Sequence, residues 1–186
     1  HALAAIAAGQ LQLHYQPKIE LDSQLVTGFE ALLRLKTIDG ELQGPWFIDI
    51  LERNQLVPLI DLWVVQQTAS DLAAIQSIAP KPLISINLHP DSLSEPPIIK
   101  ALLAIAQQYP QQLQLELLEH AMLEQQGECA KNLLLLRQQG ILIAVDDFGR
   151  GFSNLSSLIQ YRPDVVKLDR SLLLAMAQPE GLLLFQ

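Results

Sequence analysis

The stretch ILIAVDDFGRGFSNL, residues 141–155, runs from an apolar segment directly into two adjacent aspartates and then Phe148-Gly149. Neighbouring carboxylates repel each other, and a buried carboxylate stays ionised only when it is paired or bound to a metal. Taken alone, the stretch has two readings. One is a strand ending in a polar turn, with Asp147 capping the next element; the other is a metal site.

The flanking sequence supplies context. Residues 82–88 (PLISINL), 112–119 (QLQLELLE), 141–146 (ILIAVD) and 164–169 (DVVKLD) read as strands. Between and after them, residues 97–108, 127–139, 153–160 and 171–177 have helical spacing, with Gly140 stopping the second of these helices. Strands alternating with helices of about a dozen residues imply a parallel sheet built of βα units. Upstream, residues 11–21 (LQLHYQPKIEL) alternate apolar and polar positions, as a half-buried strand does. A short Asp22-Ser23-Gln24 turn leads into a second strand at 25–35 (LVTGFEALLRL), with Glu30 in its middle, and helices are expected at 46–53 and 59–78. Residues 2–8 read as the tail of a helix, so the chain is expected to begin inside something larger.

A parallel βα series closes into a barrel or stays open as a doubly wound sheet. The open form usually carries a glycine-rich phosphate turn after its first strand, and none is present. The barrel predicts functional residues at the C-terminal ends of several strands. Asn87 ends one strand, Glu116 lies late in the next, Asp146 and Asp147 end the third, and Lys167 and Asp169 end the fourth. At any single strand a solvated terminus explains such a residue. Four in register point to a site, because folding alone requires none of them.

Composition bounds the chemistry. The 186 residues are 49% apolar and 17% charged, enough to bury a core as a single domain over residues 1–186. No apolar run approaches the roughly 18 residues of a membrane span, so direct membrane insertion is not expected. A single cysteine, Cys129, excludes an internal disulfide framework, fits a reducing compartment and lies in a polar-flanked helical stretch unsuited to a catalytic thiol. The net charge of −8 argues against binding a nucleic-acid polymer, so a phosphorylated ligand would need metal ions or a few placed cations.

Glu30, Asn87, Glu116, Asp146 and Asp147 make a set rich in oxygen donors, without a histidine or cysteine cluster. Such a set suits hard divalent ions, Mg2+ or Mn2+, rather than zinc. Two adjacent aspartates can serve two ions, and a two-metal site stabilises both oxygens of a phosphoryl displacement. Lys167 either orients the attacking water and neutralises phosphate charge or forms a salt bridge to a neighbouring aspartate.

The motif FEALLRL, residues 29–35, resembles the Glu-Ala-Leu signature of the EAL domains, bacterial cyclic di-GMP phosphodiesterases. YQP at 15–17 precedes it, and INL, LELLE, DDFGRGFSNL and KLDRS come after it in the family's order, from about Leu11 to Leu173. The resemblance implies a TIM-like (β/α)8 barrel with an antiparallel first strand. It implies that Glu30, Asn87, Glu116 and Asp146 ligate metal, that Asp147 serves a second ion, and that Lys167, with Glu30 and Asp146, is catalytic. Glu119 matches the glutamate anchoring the loop from Gly149 to Asn154, which supports metal binding and dimerisation. Gln16, Leu33 and Arg34 match positions that contact the cyclic dinucleotide. Asp169 and Pro163, the latter in the Pro163-Asp164 turn before the lysine strand, are grouped with them.

The implied reaction is metal-dependent hydrolysis of one phosphodiester bond of cyclic di-GMP, giving linear pGpG. The implied setting is a homodimer within a larger signalling protein, cytoplasmic or on the cytoplasmic side of a membrane-anchored parent. Departures from the family pattern are Leu118 and Arg150 for threonine, Phe152 for tyrosine and His89 for serine. The family's later AEGVE-like and QGY-like motifs are absent, so the barrel is expected to lack its last one or two βα units. These departures motivate the alternative, an EAL-like receptor or dimerisation module with weak or no turnover.

Overall fold

Strand after strand in this chain alternates small or polar residues with large aliphatic ones, and each alternation sorts the side chains onto two faces. The computed structural model describes residues 8–37, 39–44, 48–53, 55–78, 81–118, 127–149 and 162–176. The strands are β1 (Leu11–Ile19), β2 (Val26–Lys36), β3 (Leu42–Gln43), β4 (Leu83–Asn87), β5 (Leu113–Leu118), β6 (Leu142–Phe148) and β7 (Val165–Leu168). The helices are α1 (Ile48–Arg53), α2 (Val57–Ile75), α3 (Pro96–Gln108), α4 (Glu128–Gln138) and α5 (Arg170–Met176), with a 3-10 turn at Pro90–Ser94.

The strand order is β1-β2-β4-β5-β6-β7, with the two-residue β3 paired to the end of β2. From β2 to β7 the pairings in this order are parallel, and β1 runs antiparallel to β2. This is the βα architecture expected from the alternation of strands and helices, with the antiparallel first strand that the resemblance implies. One sheet face carries Ile84, Ile86, Leu113, Leu115, Leu117, Ile143 and Val145, all buried, against Val64 and Leu72 of α2, Ile98 and Leu102 of α3, and Leu133 and Leu136 of α4. Burial of each such side chain contributes about 1.5–3 kcal/mol. The other face carries Ser85, Asn87, Gln114, Glu116 and Asp146, the alternate residues of the same strands.

That polar face is concave. Lys167 on β7 is 3.3 Å from Glu30 on β2, and Lys18 on β1 is 2.7 Å from Glu116 on β5. In a flat sheet β2 and β7 would lie four strand spacings apart, about 19 Å, beyond the combined reach of a lysine and a glutamate. Curling brings the polar residues of distant strands together, as in a barrel wall.

Local chemistry sets the ends of the elements. Pro58 near the start of α2 and Pro96 at the start of α3 occupy the first turn, where a missing N–H costs nothing. Helix α2 therefore starts at Val57 rather than the expected 59. Gly140 follows α4 at φ 83°, the left-handed conformation that ends helices. Tyr15 donates to Asp71 of α2 at 2.8 Å and ties the antiparallel strand to its helix. The expected helix at 153–160 lies outside the described residues. Among the described residues, no helix is long and apolar enough to cross a membrane.

Candidate active site

Parallel strands deliver their C-terminal residues to one rim of the sheet. Asn87 is the last residue of β4 and stands in register with Glu116 on β5, and Leu118 of β5 stands beside Asp146 on β6. Glu30, Glu116 and Asp146 each bring a carboxylate oxygen within 4.8 Å of the others. Asn87 Nδ2 donates to Glu30 Oε1 at 3.2 Å. Lys167 Nζ sits among the three acids, bonding Asp146 Oδ2 at 3.0 Å, Glu30 Oε2 at 3.3 Å and Glu116 Oε2.

Asp146 and Asp147 depart from strand geometry for a visible reason. Val145 pairs with Val166 and Phe148 with Leu168, so two residues of β6 oppose the single residue Lys167 of β7. This is a β-bulge, with Asp147 at φ 55° as its left-handed residue. Asp146 faces the acid ring; Asp147 does not join the ring, and its N–H donates to Asp146 Oδ1 at 2.9 Å.

Glu116 has a fully buried side chain. Burial works against its ionisation, but hydrogen bonds from Lys167 and Lys18 outweigh it and hold the carboxyl below its usual range. Burial likewise works against charge on Lys167, yet Glu116 and Asp146 push its pKa well above the ordinary lysine value. Three carboxylates here face two ammonium groups among the described residues, leaving an excess negative charge. At about 4 Å and an effective dielectric constant near 20, each carboxylate pair repels by about 4 kcal/mol. The ring therefore favours cations, and Lys167 already stands in for one. Its oxygen donors suit a hard divalent cation.

Beside the ring lies a cavity of about 400 Å³ whose lining includes Leu33, Arg34, Asp61, Asn87, Glu116 and Leu118. Its walls are largely aliphatic, from Leu32, Ile60, Val64 and Leu88, with Arg34 the cation among its lining residues. Asp61 is buried on α2 and accepts from the His89 N–H at 2.9 Å and the Ser92 hydroxyl at 2.6 Å. Those bonds fix the turn immediately after Asn87. Burial raises the Asp61 pKa to about 6, against the opposing effect of the two hydrogen bonds.

Of the residues singled out from sequence, the structure brings together Glu30, Asn87, Glu116, Asp146 and Lys167, with Leu33 and Arg34 at the adjoining cavity. Gln16 is exposed on β1, in register with Glu30. Pro163 is not brought in: it precedes β7, at the end of the sheet away from the ring. There Asp164 exchanges hydrogen bonds with the backbone of Ile143 at 2.8 and 2.9 Å. Asp169 follows β7 and caps α5, accepting from the Ser171 N–H at 2.7 Å. Glu119 and residues 150–154 of its loop lie outside the described residues.

Sequence reasoning passed over Lys18, Ser85, Gln114 and Asp61. Ser85 and Gln114 stand two positions before Asn87 and Glu116, so the period-two alternation was the available signal. For Asp61 it was a lone acid in the apolar run VPLIDLWVV, residues 57–65.

A family model described as the EAL domain matches residues 2–184. An uncharacterised signalling protein of Caulobacter vibrioides is 36% identical over 171 residues, covering 89% of this chain and 21% of that protein. The cyclic di-GMP phosphodiesterase NbdA of Pseudomonas aeruginosa is 30% identical over 175 residues, covering 91% of this chain and 22% of that protein. The chain thus spans about a fifth of the length of these two relatives. Among solved structures, the EAL enzyme Bd1971 in its cAMP- and cyclic-di-GMP-bound form superposes with a TM-score of 0.86 at 29% identity, covering 98% of this chain and 52% of that one.

Proposed function

The chain belongs to the EAL domain family, and on that premise we propose that it hydrolyses cyclic di-GMP to the linear dinucleotide pGpG with divalent metal ions. The observation that carries this reading is the acid ring. Glu30, Glu116 and Asp146 converge within 4.8 Å at one rim of the sheet, with Asn87 beside them and Lys167 in their midst. A folding role alone does not account for three carboxylates held against their mutual repulsion.

In this reading Glu30, Asn87, Glu116 and Asp146 hold one ion, and Asp147 serves a second. Ions held there activate water and neutralise charge on the phosphodiester. The aliphatic cavity takes a guanine base, and Arg34 pairs with a phosphate through its fork of donors. Lys167, next to the ring on β7, donates hydrogen bonds to the attacking water or the phosphate oxygens. The water attacks phosphorus and the 3′ oxygen leaves. The cytoplasm and a larger multidomain signalling protein are the setting this reading assigns.

The test is turnover of cyclic di-GMP in Mg2+ or Mn2+, with chelator as control. We expect linear product that disappears with chelator and falls at least about a thousandfold in Asp146→Asn. Binding in Ca2+ without product in Mg2+ or Mn2+ would make the chain a receptor. Neither binding nor product would reject the reading.

A further inference from the structure

Beneath the acid ring lies a second polar layer that the hydrolytic scheme does not use. Lys18 on β1 sends its ammonium into the concave face, where it bonds Glu116 Oε1 at 2.7 Å, Gln114 Oε1 at 3.1 Å and Ser85 Oγ. Ser85 in turn donates to Gln114 Oε1 at 2.6 Å. Ser85 and Gln114 are buried, at 0% and 2% exposure. The Gln114 amide turns its oxygen toward both donors and leaves its Nε2 without a partner among the described residues. Flipping the amide would set an NH2 against the ammonium. The layer is therefore arranged around the charge of Lys18, at the cost of one bare donor.

The two oxygens of Glu116 are divided between the layers. Oε1 is held from below by Lys18; Oε2 faces the ring, where it meets Lys167. A cation entering the ring competes with Lys167 for Oε2 and leaves the Lys18 bond intact.

We propose that Lys18, seated on Ser85 and Gln114, is a positioning residue that locks Glu116 so that a single oxygen, Oε2, faces the cation site. This rests on the reading of the acid ring as a divalent-cation site. Without Lys18 the buried carboxylate has an unpaired oxygen facing the layer below, and it rotates to relieve this, which withdraws a ligand from the cation site. A purely repulsive role for the Lys18 charge predicts the opposite, tighter cation binding once that charge is gone.

The experiment counts free Mn2+ by electron paramagnetic resonance in titrations of the full chain, with circular dichroism to monitor folding. Lys18→Met keeps an unbranched side chain as far as Cε and removes the charge. Mn2+ affinity is expected to fall about tenfold or more, and Lys18→Arg to stay within about threefold of wild type. With cyclic di-GMP, Lys18→Met is expected to lower kcat while KM stays within about twofold. Should Lys18→Met not fold, Ser85→Ala removes one arm of the seat and is expected to weaken Mn2+ about threefold. Unchanged or tighter Mn2+ binding in a folded Lys18→Met, or in Ser85→Ala where that variant stands in, overturns the proposal. Glu116→Gln separates the two levels. If wild type binds no Mn2+, or Glu116→Gln binds it as wild type does, the ring reading fails and this inference with it. If Glu116→Gln loses Mn2+ while Lys18→Met does not, only the role of Lys18 fails.

Discussion

Glu116 and Asp61 are both buried acids, yet their surroundings push them in opposite directions. Glu116 meets two lysines and stays ionised; Asp61 meets a backbone N–H and a hydroxyl and holds its proton to about pH 6. The sign for Asp61 comes from linkage. The unfolded side chain ionises near 3.8 and the folded one near 6, so the folded state keeps a proton that the unfolded state has lost. Stability from this group is full below about pH 4 and falls as pH rises through about 6, by at most about 3 kcal/mol. Asp61→Asn keeps an acceptor for His89 and Ser92 and cannot ionise. In urea denaturation, the stability of Asp61→Asn relative to wild type should rise from pH 4 to 6 and then level off. A difference that stays flat across that range would show that Asp61 does not titrate there. At this scale the sequence marked the residues that interrupt an apolar pattern at strand ends, Asn87, Glu116 and Asp146. Lys18 escaped because a lysine next to a hairpin turn also suits solvent, and only the curl of the sheet turns it onto Glu116.

The elements add what pairs of residues cannot. Regular alternation after Val145 already puts Asp146 on the ring face; the bulge in β6 seats both aspartates opposite Lys167 and turns the chain at Asp147. It needs a left-handed residue at position 147, which costs a non-glycine residue about 1 kcal/mol. Asp147→Gly should therefore unfold within about 1 kcal/mol of wild type, and Asp147→Val should be about 1–2 kcal/mol less stable than Asp147→Gly. If Asp147 also serves a second ion, Asp147→Gly loses hydrolysis while keeping its fold. Equal stability of the glycine and valine variants would remove the backbone argument. The doubled aspartate was legible; the bulge was not, since it requires knowing which residues of β7 stand opposite. The 3-10 turn at Pro90–Ser94 was similarly hidden, being too short to carry a period.

At the scale of the whole molecule, the alternation of strands and helices and the polar residues at successive strand ends were enough to read the βα architecture. What the sequence could not give was the curl that brings β1 and β7 to the same glutamate. Strand periodicity sorts faces without stating how far apart strands lie. The curl concentrates negative charge in a chain already at −8, and the fold holds that concentration with two lysines from opposite edges of the described sheet. Cation binding is thus where residue, element and architecture meet. The most direct test is anomalous diffraction at the manganese edge from crystals grown with Mn2+. The account predicts a peak bounded by Glu30, Asn87, Glu116 and Asp146, with Lys167 moved off the carboxylates and Lys18 still on Glu116 Oε1. No manganese within the ring, or a ring still closed on Lys167 at saturating Mn2+, would contradict it.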